Sequence, residues 1–561
     1  MKKLIALATL VMLLLFVAAC GGNNETTPAA TPTPEPVADT GTDQATPQDT
    51  TTEDPAEERE WMEFSVMLWD AAVSFGDEPC EIYQYIMDRF QITFVPYNVG
   101  WDNAADLGHL WAAGGTLPDI IGVMAMPGTP AHFEWADVGL VRSIPDEMAA
   151  QFPYVQQILN QSFSQDFQIN GRNYIIPRAG AGGAEFDVMA RALINRRDWR
   201  ESLGIPVPET PDDFLYMWRA FADPANDMNG DGSPVFGVLP DHPGALFQAF
   251  GQLGDTRTGW RMRPDGNMVI PMFEPTAIPM LSFLREAWHD NLIHPDFITQ
   301  AAWVSIETFA NGNAGTLIRQ ANPNHLERVR ASLAALQPDL VFEEAIEIIL
   351  PPQGPDTRFF QGSGFWSESR FNARLSDERL ERILEVYDWL LSPDGMRMMI
   401  FGFEGIDWEL APDGEIIMLT DINPETGAPF NAFDQYQFAR GGMINLASWP
   451  ADYLMWVNPT VSREVREMST NALNSVLHNP NSVFVTHDGR LAALNVEEAN
   501  AMVLHEPSEW VAMISEVSNL SDEELFEQFY ARWAANGYTA AKEAMTAAAA
   551  EAGITYTGPM N

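Results

Sequence analysis

Tryptophan residues follow two predicted strands of this chain at the points where those strands end. The apolar run 64–69 ends at Trp69, with Asp70 next to it, and Trp101 comes shortly after the run 92–97. An aromatic ring can stack on the apolar face of a sugar ring, and a carboxylate accepts hydrogen bonds from hydroxyls. Trp69, Asp70 and Trp101 are therefore candidate contacts for a polar ligand, although a core position for either ring is the alternative.

A second group of polar residues has the spacing of a cation-binding loop. Oxygen-bearing side chains alternate with other residues at Asp227, Asn229, Asp231 and Ser233. This pattern, with Gly232 at the sixth position, resembles the first half of an EF-hand loop, which binds Ca²⁺ through oxygen ligands. Val235 and Val238 occupy the ninth and twelfth positions, where an EF-hand supplies further ligands. The sequence thus allows either a structural calcium site or a turn stabilised by Asp and Asn side chains.

Recognised catalytic patterns are absent from the sequence. It contains no HExxH, GxSxG or Walker A phrase. Its 9 histidines are scattered, and the spacings of His289 with His294 and of His478 with His487 do not suggest metal pairs. Pairs of carboxylates are uninformative in so acidic a chain. We therefore expect no catalytic site and no required cofactor.

The elements that would position the strand-end residues follow an α/β order. A third strand is predicted over 119–124, and helices are predicted over 79–89 and 102–113. Strands that alternate with helices form a parallel sheet, and ligands of such open sheets bind at the carboxyl ends of the strands. The predicted helix from Thr210 has an N-cap residue followed by Pro211, and Ser521–Glu524 forms a capping box before the last helical region.

Composition restricts the class of partner. The chain has 561 residues, 46% of them hydrophobic, and 17 tryptophans, so it can bury a large core. Its 31 Lys and Arg against 78 Asp and Glu give a net charge of −47, which argues against nucleic-acid binding. The 2 cysteines cannot form a disulfide-rich scaffold.

The N-terminus predicts export and lipidation. Lys2 and Lys3 precede an apolar stretch over 4–19, which is the pattern of a signal peptide. The phrase VAAC at 17–20 resembles a bacterial lipobox, in which the cysteine is diacylated and becomes the first mature residue. We therefore predict a signal peptide over 1–19 and an acylated Cys20. An ordinary secretory signal is the alternative.

Residues 20–60 are predicted to form a disordered tether. The segment is rich in Thr, Pro, Asp and Glu and contains almost no large apolar residues. Such a composition cannot bury enough surface to fold, and its prolines and like charges favour an extended chain. The tether would hold the folded body away from a membrane.

Five phrases carry a resemblance to a known family. They are, in order along the chain, INGRNYIIP at 169–177, INRRDWRESLGIPVPETPDDF at 194–214, REAWHDNLIHPDFIT at 285–299, FANGNAGTL at 309–317 and LLSPDGMRMMIFGFEGIDWEL at 390–410. These phrases resemble those of extracellular solute-binding proteins of family 1. This family comprises the substrate-binding lipoproteins of ABC importers, and the resemblance covers about 61–550. Five such phrases in order behind a lipobox make the resemblance strong, and the chain is similar to the large oligosaccharide-type group of this family in Gram-positive bacteria.

The resemblance implies a two-lobed α/β fold of the periplasmic-binding-protein type, class II, with a mostly parallel sheet in each lobe and a hinge of several strands. Lobe 1 would comprise 61–180 and about 355–440. Lobe 2 would comprise 181–354 and about 441–561. Many family members carry a calcium loop at the position of Asp227, although the later acidic ligand is missing here.

The resemblance also adds candidate ligand contacts. Arg178 directly follows the YIIP phrase and should lie near the hinge, where a buried ion pair is the alternative role. Trp366 lies in a Gly-rich crossover between the lobes, and Trp408 follows the phrase GFEGID, where the family has an aromatic residue near the cleft.

The expected function is that of a monomeric receptor on the outer face of the cell membrane. It would bind a polar solute, with an oligosaccharide favoured, and deliver it to the permease subunits of an ABC importer. It would contact the membrane through its lipid anchor only, and it would not bind nucleic acid. Two other classes stay open: a lipid-anchored carbohydrate-active enzyme, and a solute-binding sensor module that signals through a partner kinase.

Overall fold

A computed structural model describes most of the chain after the predicted tether. The described residues are 59–69, 71–74, 79–100, 103–123, 129–180, 192–241, 244–252, 259–298, 304–352, 357–361, 364–424, 426–436, 443–449, 457–480, 482–486, 489–502 and 506–556. Cys20, the signal peptide, almost all of the predicted tether, Asp70 and Trp101 lie outside these ranges. No helix within the ranges is long and apolar enough to cross a membrane.

The strands confirm the predicted α/β order at the start of the folded body. They are β1 Met62–Trp69, β2 Ile92–Val99, β3 Ile120–Ile121, β4 Ile176–Gly180, β5 Ala192–Arg196, β6 Phe236–Leu239, β7 Arg261–Met262, β8 Met268–Val269, β9 Ala314–Arg319, β10 Ile346–Ile349, β11 Phe359–Gln361, β12 Phe365–Phe371, β13 Trp408–Leu410, β14 Ile416–Met418, β15 Ser448–Trp449 and β16 Phe484–Thr486.

Helices connect and cover these strands. They are α1 Ala71–Ser74, α2 Glu81–Phe90, α3 Ala104–Gly114, α4 Pro130–Asp137, α5 Asp146–Ala149, α6 Pro153–Leu159, α7 Ser162–Asp166, α8 Arg197–Ser202, α9 Pro211–Ala222, α10 Gly244–Gln248, α11 Ile278–His289, α12 Val304–Ala310, α13 Pro323–Leu336, α14 Phe342–Ala345, α15 Asp377–Leu391, α16 Pro393–Phe401, α17 Ala432–Gln435, α18 Arg463–Leu477, α19 Gly489–Ala492, α20 Glu497–Asn500, α21 Glu506–Ser515, α22 Asp522–Ala535 and α23 Tyr538–Glu551. Short 3₁₀ turns lie at Pro271–Phe273, Pro275–Ala277, Pro295–Ile298 and Met443–Leu446.

Local sequence signals set several helix ends. Thr210 accepts the backbone N–H of Asp213, whose carboxylate in turn accepts the N–H of Thr210, so the predicted start of α9 is confirmed. The same reciprocal capping box at Ser521 begins α22. The predicted last helical region consists of two helices, α22 and α23, and Gly537 between them has a φ of 101°, a conformation that glycine adopts readily.

The first sheet is six-stranded, with the order β15-β4-β12-β3-β1-β2. β1 pairs in parallel with β2 and β3, and β4 pairs in parallel with β15. β12 runs antiparallel to both β3 and β4. The last residues of β1, β2, β3, β4 and β15 and the first residues of β12 therefore lie along one edge, which we call edge 1.

The second sheet has the order β10-β5-β9-β6. β6 and β9 are parallel, while β5 is antiparallel to both β9 and β10. The expected mostly parallel sheet is therefore found with one exception in this lobe: β6, β9 and β10 run in one direction and β5 runs against them. The reason is the chain path: β5 enters the lobe at the edge where β6, β9 and β10 end, and so runs against them. We call this edge, at which β5 begins, edge 2.

Each sheet lies in its own hydrophobic core. One core joins apolar residues of 62–176 with those of 371–447, and the other joins residues of 192–359 with those of 461–554. Each core is thus built from two separate stretches of chain, as a two-lobed α/β fold requires. The lobe boundaries given above stay predictions, because the connections around 181–191 and 450–456 lie outside the described residues.

Candidate ligand-binding cleft

Two tryptophan rings stack on each other at edge 1. Trp69 ends β1 and Trp366 lies at the start of β12, and their ring centroids are 5.8 Å apart with planes inclined by 16°. Trp69 is buried at 3% exposure, whereas Trp366 lies over it and stays 42% exposed. An exposed aromatic face supported by a buried ring suits contact with the apolar face of a ligand.

A bulge in β12 accompanies the placement of Trp366 over Trp69. The register between β12 and β4 shifts between Phe365 and Glu368, and Ser367 has a φ of 64°. Such a bulge re-aims a side chain, and the stretch of β12 that follows is buried. The exposed position of Trp366 thus depends on backbone geometry that the sequence alone does not reveal.

Arg178 ties the strands of edge 1 together. It lies in β4, is fully buried, and donates hydrogen bonds to the Ser367 hydroxyl and to the carbonyl of Gly122. Its guanidinium also lies 5.5 Å from the centroid of the Trp69 ring. Arg178 therefore supports the stacked pair from below, and its burial favours this positioning role over direct ligand contact.

A chain of buried polar contacts involves the later residues of β12, the strand that carries Trp366. Arg370 donates to a carboxylate oxygen of Glu368 at 3.1 Å and to Nδ1 of His132 at 2.7 Å. The other ring nitrogen of His132 lies 3.0 Å from the carbonyl oxygen of Phe167. Burial, and secondarily the charge of Arg370, lowers the pKa of His132 to about 3. His132 is therefore neutral at physiological pH, and this chain of contacts anchors β12.

Trp408 lies apart from the stacked pair. It begins β13, is 3% exposed, and packs with Phe401 in a separate small apolar cluster. Its indole N–H donates to the carbonyl of Gly402 at 2.9 Å. A buried tryptophan with a satisfied N–H favours a structural role, so its predicted ligand contact stays without support from this packing.

The loop of the predicted metal site joins α9 to β6. Asp227 accepts the backbone N–H of Gly232 at 2.9 Å, and Asp231 accepts the backbone N–H of Ser233 at 2.8 Å. The hydrogen bonds from Ser233 lower the pKa of Asp231. Val238 is fully buried in β6, so the twelfth position of the EF-hand pattern supplies no ligand. Among the described residues, no group of three or more His, Cys, Asp or Glu side chains could hold a metal ion.

Edge 2 carries an ion pair that the sequence reasoning missed. Arg319, the last residue of β9, donates to the carboxylate of Asp241, which follows β6 by two residues. The Ser305 hydroxyl donates to the same carboxylate at 3.0 Å. The rule that selected Trp69 and Asp70, that ligands bind where strands end, would have selected Asp241 as well.

The chain passes between the two lobes at edge 1 and edge 2. β4 ends at edge 1 and leads to β5, which begins at edge 2. β10 ends at edge 2 and leads back, through β11, to the start of β12 at edge 1. The third connection leaves edge 1 after β15. The space between the two edges is therefore the candidate ligand-binding cleft.

Comparison with curated proteins gives two relatives from Bacillus subtilis. The polygalacturonan/rhamnogalacturonan-binding protein YtcQ is 23% identical over 334 residues, which cover 58% of this chain and 62% of YtcQ. Lipoprotein LipO is 24% identical over 225 residues, which cover 38% of this chain and 42% of LipO. The chain thus matches less than two thirds of the length of these relatives. No family model matches it.

Solved structures match over nearly their whole length. The alginate-binding protein AlgQ2 without calcium ion aligns with a TM-score of 0.65 and 14% identity, covering 87% of this chain and 98% of AlgQ2. The ABC-transporter substrate-binding protein FusA of S. pneumoniae, in complex with kestose, aligns with a TM-score of 0.63 and 16% identity, covering 88% and 99%. These comparisons confirm the resemblance: the chain has the two-lobed α/β fold of the extracellular solute-binding proteins.

Proposed function

We propose that this protein is the substrate-binding component of an ABC importer and captures an oligosaccharide between its two lobes. The observation that carries the proposal is the exposed face of Trp366, supported by the buried Trp69 at the edge from which the hinge connections leave. A ligand stacked there lies where the lobes can close on it.

Carbohydrate is the favoured class of ligand for two reasons. A flat aromatic face with polar groups nearby suits a sugar ring, which has an apolar C–H face and a rim of hydroxyls. The relatives and structural neighbours named above include proteins that bind polygalacturonan or rhamnogalacturonan, alginate and kestose. Both points support a sugar ligand for this chain.

The mechanism that fits this fold is a population shift between open and closed lobes. A ligand that contacts both lobes binds the closed arrangement more tightly and therefore shifts the equilibrium toward it. The closed form is then recognised by the permease. No covalent step is required, and the relatives and neighbours are themselves binding proteins.

We infer that the body is a monomer held at the outer face of the cell membrane through acylated Cys20. The lipobox and the polar segment that follows it support this anchor, and LipO is a lipoprotein. The proposed tether length of about 40 residues, over 20–60, allows the body to reach a permease in the same membrane.

We also propose that the loop 227–233 binds calcium weakly and in a structural role. Asp227 and Asp231 supply carboxylates, Asn229 an amide oxygen and Ser233 a backbone carbonyl, which are ligands that calcium accepts. One of the FusA structures is of an EF-hand mutant, so a structural neighbour has an EF-hand, and this supports the proposal of a cation-binding loop here. The missing ligand at Val238 implies low affinity.

The function is tested by calorimetry on the full mature chain. A thermal-shift screen with neutral oligosaccharides, uronic acid oligosaccharides and peptides first identifies a binding solute, because a ligand specific for the folded state raises its stability. Affinity is then measured for the wild type, Trp366→Ala and Trp61→Ala. Trp61 is a matched control: it is 45% exposed but precedes β1 at the opposite end of the strand.

Trp366→Ala should weaken binding by about 2 kcal/mol, or roughly thirtyfold, as for a central aromatic contact. Its melting temperature should change little, because the Trp366 ring is 42% exposed. Trp61→Ala should bind as the wild type does. Equal affinities for wild type and Trp366→Ala would remove Trp366 from the cleft, and turnover of a sugar by the isolated protein would favour the enzyme class.

A further inference from the structure

We propose that Asp241 is the ligand-contacting carboxylate of the second lobe, that Arg319 and Ser305 position it, and that it binds a hydroxyl of a neutral sugar rather than a uronic acid. The inference rests on the proposed function, because it assumes that a sugar enters the cleft. Beyond that function, it assigns a ligand contact to the second lobe, whereas Trp366 belongs to the first, and it specifies a neutral sugar as the class of ligand.

The fold brings the three side chains together at edge 2. β6 and β9 are parallel neighbours, so Asp241 just after β6 and Arg319 at the end of β9 lie side by side. Ser305 comes from the first turn of α12, the helix before β9. Its hydroxyl is 3.0 Å from Oδ2 of Asp241 and 2.9 Å from Nη1 of Arg319.

Only one oxygen of the Asp241 carboxylate is used by these contacts. Oδ2 accepts from both Arg319 and Ser305, whereas Oδ1 accepts no side-chain or backbone donor within the described part of the chain. The Asp241 side chain is 19% exposed, while that of Arg319 is 5% exposed. The carboxylate is therefore held in one orientation by buried groups, and its second oxygen can still accept a hydrogen bond from a ligand.

Stability alone does not explain this arrangement. Burial lowers the pKa of Arg319 to about 10, which reflects the cost of removing its charge from water. A buried ion pair seldom stabilises a fold more than apolar side chains of the same volume. The arrangement is better explained by recognition of a polar ligand, which requires a carboxylate held in place at the edge of the sheet where ligands bind.

The free oxygen determines which ligand groups fit. An ionised carboxylate only accepts hydrogen bonds, so its partner must donate, as a sugar hydroxyl does. A uronic acid carboxylate would place a second negative charge against it. Arg328 adds a positive charge near Arg319. Nη1 of Arg319, however, already donates hydrogen bonds to Asp241 and Ser305.

The described cation next to the stacked tryptophan pair is not a better partner for a uronic acid. Arg178, the cation beneath the tryptophan pair, is fully buried and donates to Ser367 and Gly122. The net charge of −47 also repels a polyanion at long range. A neutral sugar would instead stack on Trp366 with its face and donate a hydroxyl to Asp241 with its edge, contacting both lobes.

The test compares kestose with trigalacturonate by calorimetry on the mature chain and its variants. The variants are Asp241→Asn and Ser305→Ala, and Glu347→Gln is the matched control. Glu347 pairs with Arg200 at 2.7 Å in the same sheet, near the end remote from edge 2. Melting curves establish that each variant is folded.

We expect the wild type to bind kestose in preference to trigalacturonate. Asp241→Asn should weaken kestose binding about tenfold or more, since hydrogen bonds to charged groups are strong. Ser305→Ala should weaken it by a smaller factor, and Glu347→Gln should not change it. If Asp241→Asn does not fold, Ser305→Ala decides the question.

The outcomes separate the inference from the function on which it rests. Binding that depends on Trp366 but is unchanged in Asp241→Asn and Ser305→Ala would overturn the site and leave the proposed function standing. Tighter binding of trigalacturonate than of kestose would overturn the neutral class. Absence of binding to every sugar of the screen would overturn the proposed function together with this inference.

Discussion

His132 is a residue whose protonation is fixed by its neighbours. Arg370 can only donate, so Nδ1 of His132 accepts, and the proton lies on Nε2, which donates to the carbonyl of Phe167. Protonation of Nδ1 would break the contact with Arg370 and place two positive charges side by side in a buried site. The low pKa of His132 follows from burial first and from Arg370 second.

This arrangement makes the stability of the first lobe depend on pH. The pKa of His132 is about 3 in the folded protein and about 6.5 in an unfolded chain. Between these values only the unfolded chain binds the proton, so the free energy of unfolding must fall as the pH is lowered through this range. His132→Gln should flatten this fall, by at most ~1.4 kcal/mol per pH unit.

Chemical denaturation at several pH values between 4 and 7 measures the effect. His109→Gln is the control, because His109 is exposed on α3 and contacts the Trp135 ring instead of a buried charge. The control should show the wild-type slope. Equal slopes for His132→Gln and the wild type would mean that groups other than His132 cause the acid sensitivity.

The sequence predicts some residues of the candidate cleft and their contacts, but not others. Trp69 was predicted from its position at a strand end, since that rule needs only local pattern. Trp366 was also predicted, from the resemblance, but its stacking on Trp69 depends on a bulge at Ser367 and on pairing between distant strands. Arg319 and Asp241 are separated by 78 residues and meet only because β6 and β9 are neighbours in the sheet. Pairings of this kind are not encoded in local spacing.

At the scale of elements, the direction of a strand follows from where the chain enters a lobe. β12 enters the first lobe at edge 1, where its neighbours β3 and β4 end, and so runs antiparallel to them. β5 does the same at edge 2. Alternation of strands and helices predicts parallel pairing within one continuous stretch, but it carries no information about strands that arrive through a hinge.

The loop between α9 and β6 gives a prediction about calcium. With a dissociation constant on the order of 1 mM, typical of weak extracellular sites, 5 mM calcium would stabilise the fold by about 1 kcal/mol. That corresponds to a rise of about 2–4 °C in melting temperature for a lobe of this size. Chelator should remove the rise and leave the lobe arrangement intact.

Differential scanning fluorimetry with and without calcium checks this rise. Asp231→Asn should abolish it, because the variant loses one of the two carboxylates of the loop. Asp265→Asn is the control, since Asp265 lies in another exposed turn and accepts the backbone N–H of Asn267 at 3.0 Å. A melting temperature that does not respond to calcium would favour a simple turn stabilised by side-chain hydrogen bonds.

At the scale of the whole molecule, two cores joined by a hinge leave closure as the main degree of freedom. Each lobe has its own sheet and its own apolar core, so the lobes can move as units. In the proposed function, the ligand would supply the free energy that favours closure, through contacts with both edges. Trp366 at edge 1 and Asp241 at edge 2 are suited to do so from opposite sides.

The proposed lipid anchor at Cys20 would determine where the proposed receptor works. If Cys20 is acylated, Cys20→Ser should release the protein from membranes, because no helix of the described chain can hold it there. The variant should melt as the wild type does, since the contacts that build both cores begin at Met62. Its affinity for the solute should also be unchanged.

Membrane fractionation of cells that express each form, followed by detection of the protein in both fractions, measures the release. Cys80→Ser is the control: Cys80 is the free cysteine of the folded body, at the start of α2, and should have no influence on membrane association. Retention of Cys20→Ser in the membrane fraction would show that something other than lipidation holds the protein there. Since solute capture needs only the body while import needs a permease in the same membrane, Cys20→Ser should bind its sugar normally and fail to support growth on it.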